Sequence, residues 1–111
     1  MDITNYCDEH FDGIFNVVHK TIEEVYPRYY PKSTVEFFHE HHSKENMKEQ
    51  LPNEFTLVAI EDNKIVGTGA LFENVIRRFF ILPEYRDKGV GNALLKELKK
   101  NIEKDKYDKS A

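Results

Sequence analysis

Residues 79–95 read Phe79-Phe80-Ile81-Leu82-Pro83-Glu84-Tyr85-Arg86-Asp87-Lys88-Gly89-Val90-Gly91-Asn92-Ala93-Leu94-Leu95, and this run decides the fold. Its first four residues are apolar without alternation, which is how a strand covered on both faces reads. Pro83 has no amide to continue a ladder, so the strand stops there. Gly89 and Gly91 follow where a helical pattern opens, with Val90, Ala93, Leu94, Leu98 and Ile102 on one face. A buried strand, a short loop and a glycine-opened helix therefore stand in order. The head of such a helix leaves amides unpaired and carries partial positive charge, and glycines let the main chain approach a ligand closely. The combination is an anion site made of backbone, suited to phosphate groups.

Two common phosphate loops are excluded by their own requirements. A Walker A loop ends in Gly-Lys-Ser/Thr, and here Gly91 is followed by Asn92 and Ala93. A dinucleotide fingerprint needs Gly or Ala at its sixth position, where this chain has Leu94.

Val75–Leu82 reads as a central strand. Before it, Phe55–Glu61 and Lys64–Phe72 alternate with period two and meet at Asp62-Asn63, a pair suited to a tight hairpin. The first half of the chain is helical. Phe11, Ile14, Phe15, Val18, Ile22 and Val25 form one apolar stripe, with Asp8 as the expected N-cap and Pro27 as the stop. A second helix is predicted from Ser33, with Val35, Phe37 and Phe38. A third short one follows Ser43, turning Met47 and Leu51 inward before Pro52. Ile3–Tyr6 reads as a short first strand. The helix from Gly89 is predicted to run to about Lys104, with Lys96, Glu97, Lys99, Lys100 and Glu103 on a solvated face.

The chain has 111 residues, enough for one small domain, and 40% of them are hydrophobic, so a core can form. A net charge of −4 gives no field for neutralising nucleic-acid phosphates, which excludes a DNA or RNA partner. The one cysteine, Cys7, cannot close an internal disulfide, which fits a reduced cytoplasmic setting. Neither a signal peptide nor a membrane span is expected, since no run nears the ~18 consecutive apolar residues a span requires.

The spacing Arg86-x-x-Gly89-x-Gly91, after a strand ending in Leu82-Pro83-Glu84-Tyr85, resembles the acyl-CoA loop of the GNAT N-acetyltransferases. Ile65-Val66-Gly67-Thr68-Gly69 is similar to the third strand of that family, and the helical first half also fits. The likeness spans nearly the whole chain, with its specific part in residues 65–95. It implies an α/β (α+β) fold with a mixed, mainly antiparallel sheet flanked by helices. It also implies one GNAT-like domain over 1–111, incomplete at its C-terminus and lacking the last strands. Tyr107-Asp108-Lys109-Ser110-Ala111 is similar to the opening of the next strand in the family, beyond which the usual general-acid tyrosine would lie. A strand left unpaired at its edge predicts self-association as a homodimer, or pairing with a missing C-terminal piece.

The resemblance further implies acetyl-CoA as co-substrate and acetyl transfer to an amine of a small molecule, peptide or protein. The pyrophosphate would be held by the amides of Asp87, Lys88, Gly89, Val90, Gly91 and Asn92, beside Arg86. Pantetheine would pair with the strand at Ile81. The acetyl carbonyl would accept from the Phe79 amide, which then stabilises the oxyanion. Where the family often has a carboxylate, this chain has Val75, Arg77 and Arg78. Glu73 is the nearest acid and the candidate base, against a plain solvated turn carboxylate. Asp87 stands where many members have glycine, so its side chain must turn away from the phosphates. Two other functions remain beside catalysis: a coenzyme-binding module without activity, and a structural fragment with an empty loop.

Glu36, His39 and Glu40 stand at helical spacing and invite a metal reading, as do His41 and His42. Surface histidines on a polar helix are the simpler account, and no metal is expected. Cys7 has no recognisable basic partner nearby in sequence and reads as an inert small residue. Tyr26, Tyr29 and Tyr30 would line an acceptor pocket or pack on the sheet.

Overall fold

Period-two patterning builds the sheet. In the computed structural model, which describes residues 1–110 and the side chains of 1–102, the strands are β1 (Asp2–Asn5), β2 (Phe55–Glu61), β3 (Lys64–Phe72) and β4 (Val75–Ile81). They pair in the order β1-β2-β3-β4, every pairing antiparallel. The β2–β3 hairpin turns at Asp62 and Asn63, with φ of 52° and 60°. Both central residues are thus left-handed, the geometry that matches the twist of the flanking strands. Glu73 and Asn74 make a second such turn between β3 and β4, at 51° and 65°.

The helices are α1 (Phe11–Glu24), α2 (Lys32–His41), α3 (Lys44–Gln50) and α4 (Val90–Ser110). The stripe of α1 is wider than its spacing suggested. Val17 and Thr21 are buried with Phe11, Ile14, Val18 and Ile22, while Phe15 and Val25 are only half-buried. α1 ends before Pro27, and a 3-10 turn at Tyr26–Arg28 leads towards α2. Ser43 caps α3, its hydroxyl accepting from the Asn46 amide at 3.2 Å. One core joins α1, α3 and α4 to the sheet through Ile14, Val18, Met47, Leu51, Val58, Val66, Leu94 and Leu98.

Three expectations are corrected. Asp8 is not the N-cap of α1: it lies inside a 3-10 turn, Asp8–His10, whose cap is the extended Cys7. β4, read as a central strand, stands at the end of the sheet among the described residues. Its two-sided burial comes from α4 on one face and the α1–α3 layer on the other. Tyr107–Ser110 does not open a strand, because α4 continues through it. The run before it, 96–106, is rich in Lys and Glu, straight-chain residues with good helix propensity, and the helix carries on from that run. The expectations for the Glu103 side chain and for Ala111 lie outside the described residues.

Candidate functional site

β4 is interrupted where the candidate site begins. Phe80 pairs with Thr68 and Arg77 with Ala70, so Arg78 and Phe79 together face the single residue Gly69. Arg78 takes φ 50°, the conformation that absorbs the extra residue. Beyond the bulge, Phe79 and Ile81 point to the α4 face. The Phe79 ring lies where a Cβ on Gly69 would stand 3.1 Å away, and Ile81 Cδ1 stands 2.9 Å from the corresponding point on Gly67. The small residues of β3 make room for side chains of β4 and α4.

The strand then gives way to a 3-10 turn, Pro83–Tyr85, and the loop into α4. Asp87 (φ 64°) and Gly89 (φ 83°) are both left-handed, which folds the loop back over the helix axis. The helical ladder starts with the Ala93 amide donating to the Gly89 carbonyl at 3.1 Å, so the Val90, Gly91 and Asn92 amides stand ahead of it. A Cβ on Gly89 would meet nothing within 4 Å, and one on Gly91 would make only ordinary contacts. Among the described residues Gly91 backs onto the Phe79 ring, 3.7 Å from its Cβ position, while the space beside Gly89 is open. Arg86, Asp87 and Lys88 are exposed around it, with Lys88 Nζ 5.3 Å from the centre of the Tyr85 ring.

A cavity of about 250 Å³ opens beside the end of β4, lined by Thr21, Val25, Tyr26, Phe79, Phe80, Ile81 and Arg86. Thr21 ties α1 to this point: its hydroxyl donates to the Val17 carbonyl at 2.9 Å and lies 3.3 Å from the Ile81 carbonyl. Burial, with Tyr30 second, pushes the Tyr26 hydroxyl above the usual phenol range. At the rim, Lys20 bonds Glu84 at 3.0 Å, which holds the carboxyl below its usual range and raises the lysine.

Phe79, Ile81 and the residues from Arg86 to Asn92 are thus gathered at one end of β4. Glu73 is not. It sits exposed in the turn at the other end, on the order of 20 Å along the strand from Phe79 at ~3.3 Å per residue. Tyr26 reaches the cavity, while Tyr29 and Tyr30 stand outside it, 72% and 45% exposed.

Sequence reasoning missed a buried polar layer on the other face. The Arg78 guanidinium bonds both Glu54 and Gln50, with the arginine and glutamate side chains 3% and 4% exposed. Arg77 Nε approaches the same carboxylate at 3.8 Å. Next to it, His42 is buried and donates from Nδ1 to the Phe38 carbonyl at 3.0 Å; burial pushes its pKa down to about 4. His19 Nε2 lies 2.6 Å from the His42 carbonyl and must donate to it, so its Nδ1 accepts from His39 Nδ1 at 3.1 Å. Of the histidines expected on a polar surface, His39 is therefore bonded to His19 of α1 and His42 is buried against Phe38. The one sequence signal was the pair Arg77-Arg78 in an otherwise apolar strand, which calls for a buried acid. No cluster of three or more His, Cys, Asp or Glu able to hold a metal occurs among the described residues. Cys7 does have a basic neighbour: its amide donates to His10 Nδ1 at 3.1 Å and its Sγ lies 3.5 Å from the same atom. No helix of the described residues is long and apolar enough to cross a membrane.

The family described as the acetyltransferase (GNAT) domain matches residues 20–111. Among solved structures, a GCN5-related N-acetyltransferase from Rhodopseudomonas palustris superposes with a TM-score of 0.82 at 20% identity, over 91% of this chain and 64% of that one. The PaiA N-acetyltransferase from Thermoplasma acidophilum, in complex with coenzyme A, gives 0.76 at 23% identity, over 95% of this chain and 74% of that one. A GNAT acetyltransferase from Brucella melitensis, in complex with acetyl-CoA, gives 0.64 at 18%, over 92% and 68%. At these identities the likeness is one of fold. No curated protein sequence matches.

Proposed function

The chain belongs to the acetyltransferase (GNAT) domain family, and from that premise we propose that it binds acetyl-CoA at the head of α4 and transfers the acetyl group to an amine. The observation that carries this reading is the pair of left-handed residues, Asp87 and Gly89, that turn the loop so that the amides of Val90, Gly91 and Asn92 precede the helical ladder, beside open space at Gly89. Such amides bind phosphate oxygens without displacing any partner, and the helix dipole adds to the attraction. Arg86 and Lys88 supply the positive charge, and the exposed Asp87 side chain is free to turn to solvent. Pantetheine would run along β4 at Ile81, bringing the thioester to Phe79 beside the cavity.

The thioester supplies the activated acetyl group. An amide of this chain near Phe79, placed against its carbonyl oxygen, would contribute about 10²–10³ in rate, the value of one oxyanion donor. The relatives solved with coenzyme A and acetyl-CoA support the co-substrate, and the single cysteine supports a cytoplasmic setting.

Calorimetric titration with acetyl-CoA tests the reading. The parent chain should bind with a stoichiometry of one. Gly89→Val places a β-branched side chain at φ 83° and in the space the phosphates need, so it should bind no coenzyme while its circular dichroism stays that of the parent. Equal binding by both chains would refute the loop assignment. A second reading, a coenzyme-binding module without catalysis, is favoured by one fact: among the described residues no carboxylate lines the cavity beside Phe79. Coenzyme binding with no thiol release across a broad amine panel would select it.

A further inference from the structure

Two imidazoles meet between α1 and α2, outside the coenzyme loop and outside the lining of the cavity beside Phe79. His19 of α1 and His39 of α2 face each other through their Nδ1 atoms, 3.1 Å apart. The His19 ring is fixed twice. It stacks on Phe15 with centroids 4.1 Å apart, and its Nε2 donates to the His42 carbonyl at 2.6 Å. That bond puts the proton on Nε2 and leaves the Nδ1 lone pair directed at His39. A ring nitrogen left free because its partner donates to a carbonyl is the arrangement found in histidines that ligate metals.

The spacing fits one ion held by both nitrogens. At a metal–nitrogen length of about 2.0–2.1 Å, two ligands of one ion stand about 2.9 Å apart at a right angle and about 3.4 Å apart at the tetrahedral angle. The observed 3.1 Å falls between these values. A hydrogen bond between neutral rings gives a similar distance, so the surroundings decide. Both rings are half-buried, held by packing yet within reach of solvent. Glu23 and Glu36 stand one helical turn from His19 and His39, which brings negative charge near the pair. Among the described residues no third His, Cys, Asp or Glu completes a set, so water takes the remaining positions. Imidazole donors favour zinc, nickel or copper over magnesium and calcium.

α2 is the element such an ion would change most. None of its residues is fully buried, and Pro31 at its start gives no side-chain cap. Its hydrophobic hold on the core is through Val35 and Phe38, both half-buried. An ion shared by His19 and His39 ties together positions 20 residues apart and closes the stretch that carries Tyr26, Tyr29 and Tyr30. Closing a loop in this way removes freedom from the open state, so the closed state gains.

We propose that His19 and His39 bind a divalent transition-metal ion of the zinc and nickel class, and that the ion clips α2 to α1. The ion sheds two waters and takes one lone pair from each Nδ1. The proton that His39 keeps on Nδ1 in the metal-free pair passes through water to its own Nε2, so both rings remain neutral. This site differs from the set Glu36, His39 and Glu40 suggested by spacing along one helix. It joins two helices, and its second ligand comes from α1.

Zinc chloride alone serves as the probe, added to the full chain while hydrogen exchange of the α2 amides is followed. Calorimetry should first show saturable binding of one ion. At about a hundred times the measured dissociation constant, zinc should slow exchange in α2 about a hundredfold, and a chelator should reverse the change. His39→Asn keeps a side-chain N–H for His19 but has no ring nitrogen to ligate, so it should lose the effect. Cys7 and His10 form the other close pair of metal-binding side chains, with Sγ 3.5 Å from Nδ1, so Cys7→Ser should keep the effect in full. Imidazole nitrogen resonances of the parent guard against a His39→Asn chain that does not fold: zinc should move those of His19 and His39 and leave that of His10 in place. Absence of saturable binding overturns the proposal. So does protection that survives His39→Asn, protection that vanishes in Cys7→Ser, or a shift confined to His10.

Discussion

On the α4 face of β3 and β4 the backbone itself comes close. Gly67 and Gly69 leave room there for Ile81, Phe79, Val90 and Leu98, and the loop above is formed by main-chain amides. On the opposite face, contact is made by large side chains: Phe80, Tyr26, Phe38, His42 and the Arg78–Glu54–Gln50 group. The first face depends on what is small and the second on what is paired. A backbone site tolerates changes in most side chains but not at its glycines. A paired side-chain layer fails when any one partner is removed.

The largest expected effect breaks the second face. Arg78→Met leaves the buried Glu54 carboxylate with only the more distant, partly exposed Arg77, and losing one partner of a buried pair costs about 3–5 kcal/mol. Chemical denaturation should show that loss. Acetyl-CoA affinity of the folded protein should be little changed, since the loop lies on the other face. The double variant Arg78→Met, Glu54→Leu removes both charges and should recover much of the stability. If the single variant is as stable as the parent, the pair does not hold this face together. If it loses coenzyme affinity while folded, the two faces are not independent.

The difference between the faces also explains what the sequence disclosed. Backbone sites announce themselves locally: Pro83, Gly89 and Gly91 stand within nine residues, and Asp62-Asn63 gives its hairpin directly. The element types followed from such signals and from periodicity. Side-chain sites join residues far apart in the chain, such as His19 with His39, Arg78 with Glu54 and Tyr26 with Phe80, and one-dimensional spacing holds no trace of those partners. Hence His42 read as surface and is buried. Cys7 read as unpartnered although His10, three residues on, bonds its amide, because that contact depends on a 3-10 turn the pattern did not show.

A smaller effect tests the first face. A Cβ at Gly67 would stand 2.9 Å from Ile81 Cδ1, 3.0 Å from Val90 Cγ1 and 3.2 Å from Leu94 Cδ1. Three side chains must move together, and overpacking of that kind costs about 1–3 kcal/mol. Gly67→Ala should therefore lower the unfolding midpoint. Because Ile81 and Val90 flank the loop proposed to hold the coenzyme, it should also weaken acetyl-CoA binding, unlike Arg78→Met. Parent-like stability and affinity together would show that α4 yields freely, and that the close approach on this face is not what holds the loop in place.

A third effect is absent at neutral pH and appears only in acid. The His42 ring is neutral in the folded chain because burial opposes its charge, with Arg78, His41 and His19 adding repulsion and the Phe38 carbonyl offsetting part of it. Its folded pKa of about 4 lies below the ordinary 6.5, so between those values the unfolded chain holds more protons than the folded one. Stability then falls as pH falls through that window, and the contribution of the neutral ring is lost by about pH 4. His42→Asn keeps a donor for the Phe38 carbonyl but carries no titrating group. Unfolding midpoints of the two chains, measured from pH 7 to pH 4, should differ by a constant near neutrality. Below pH 6.5 they should converge, because only the parent then pays for keeping its ring uncharged. Curves that remain parallel would mean that His42 gains its proton without leaving its place, and that this part of the side-chain layer is wetter than its packing indicates.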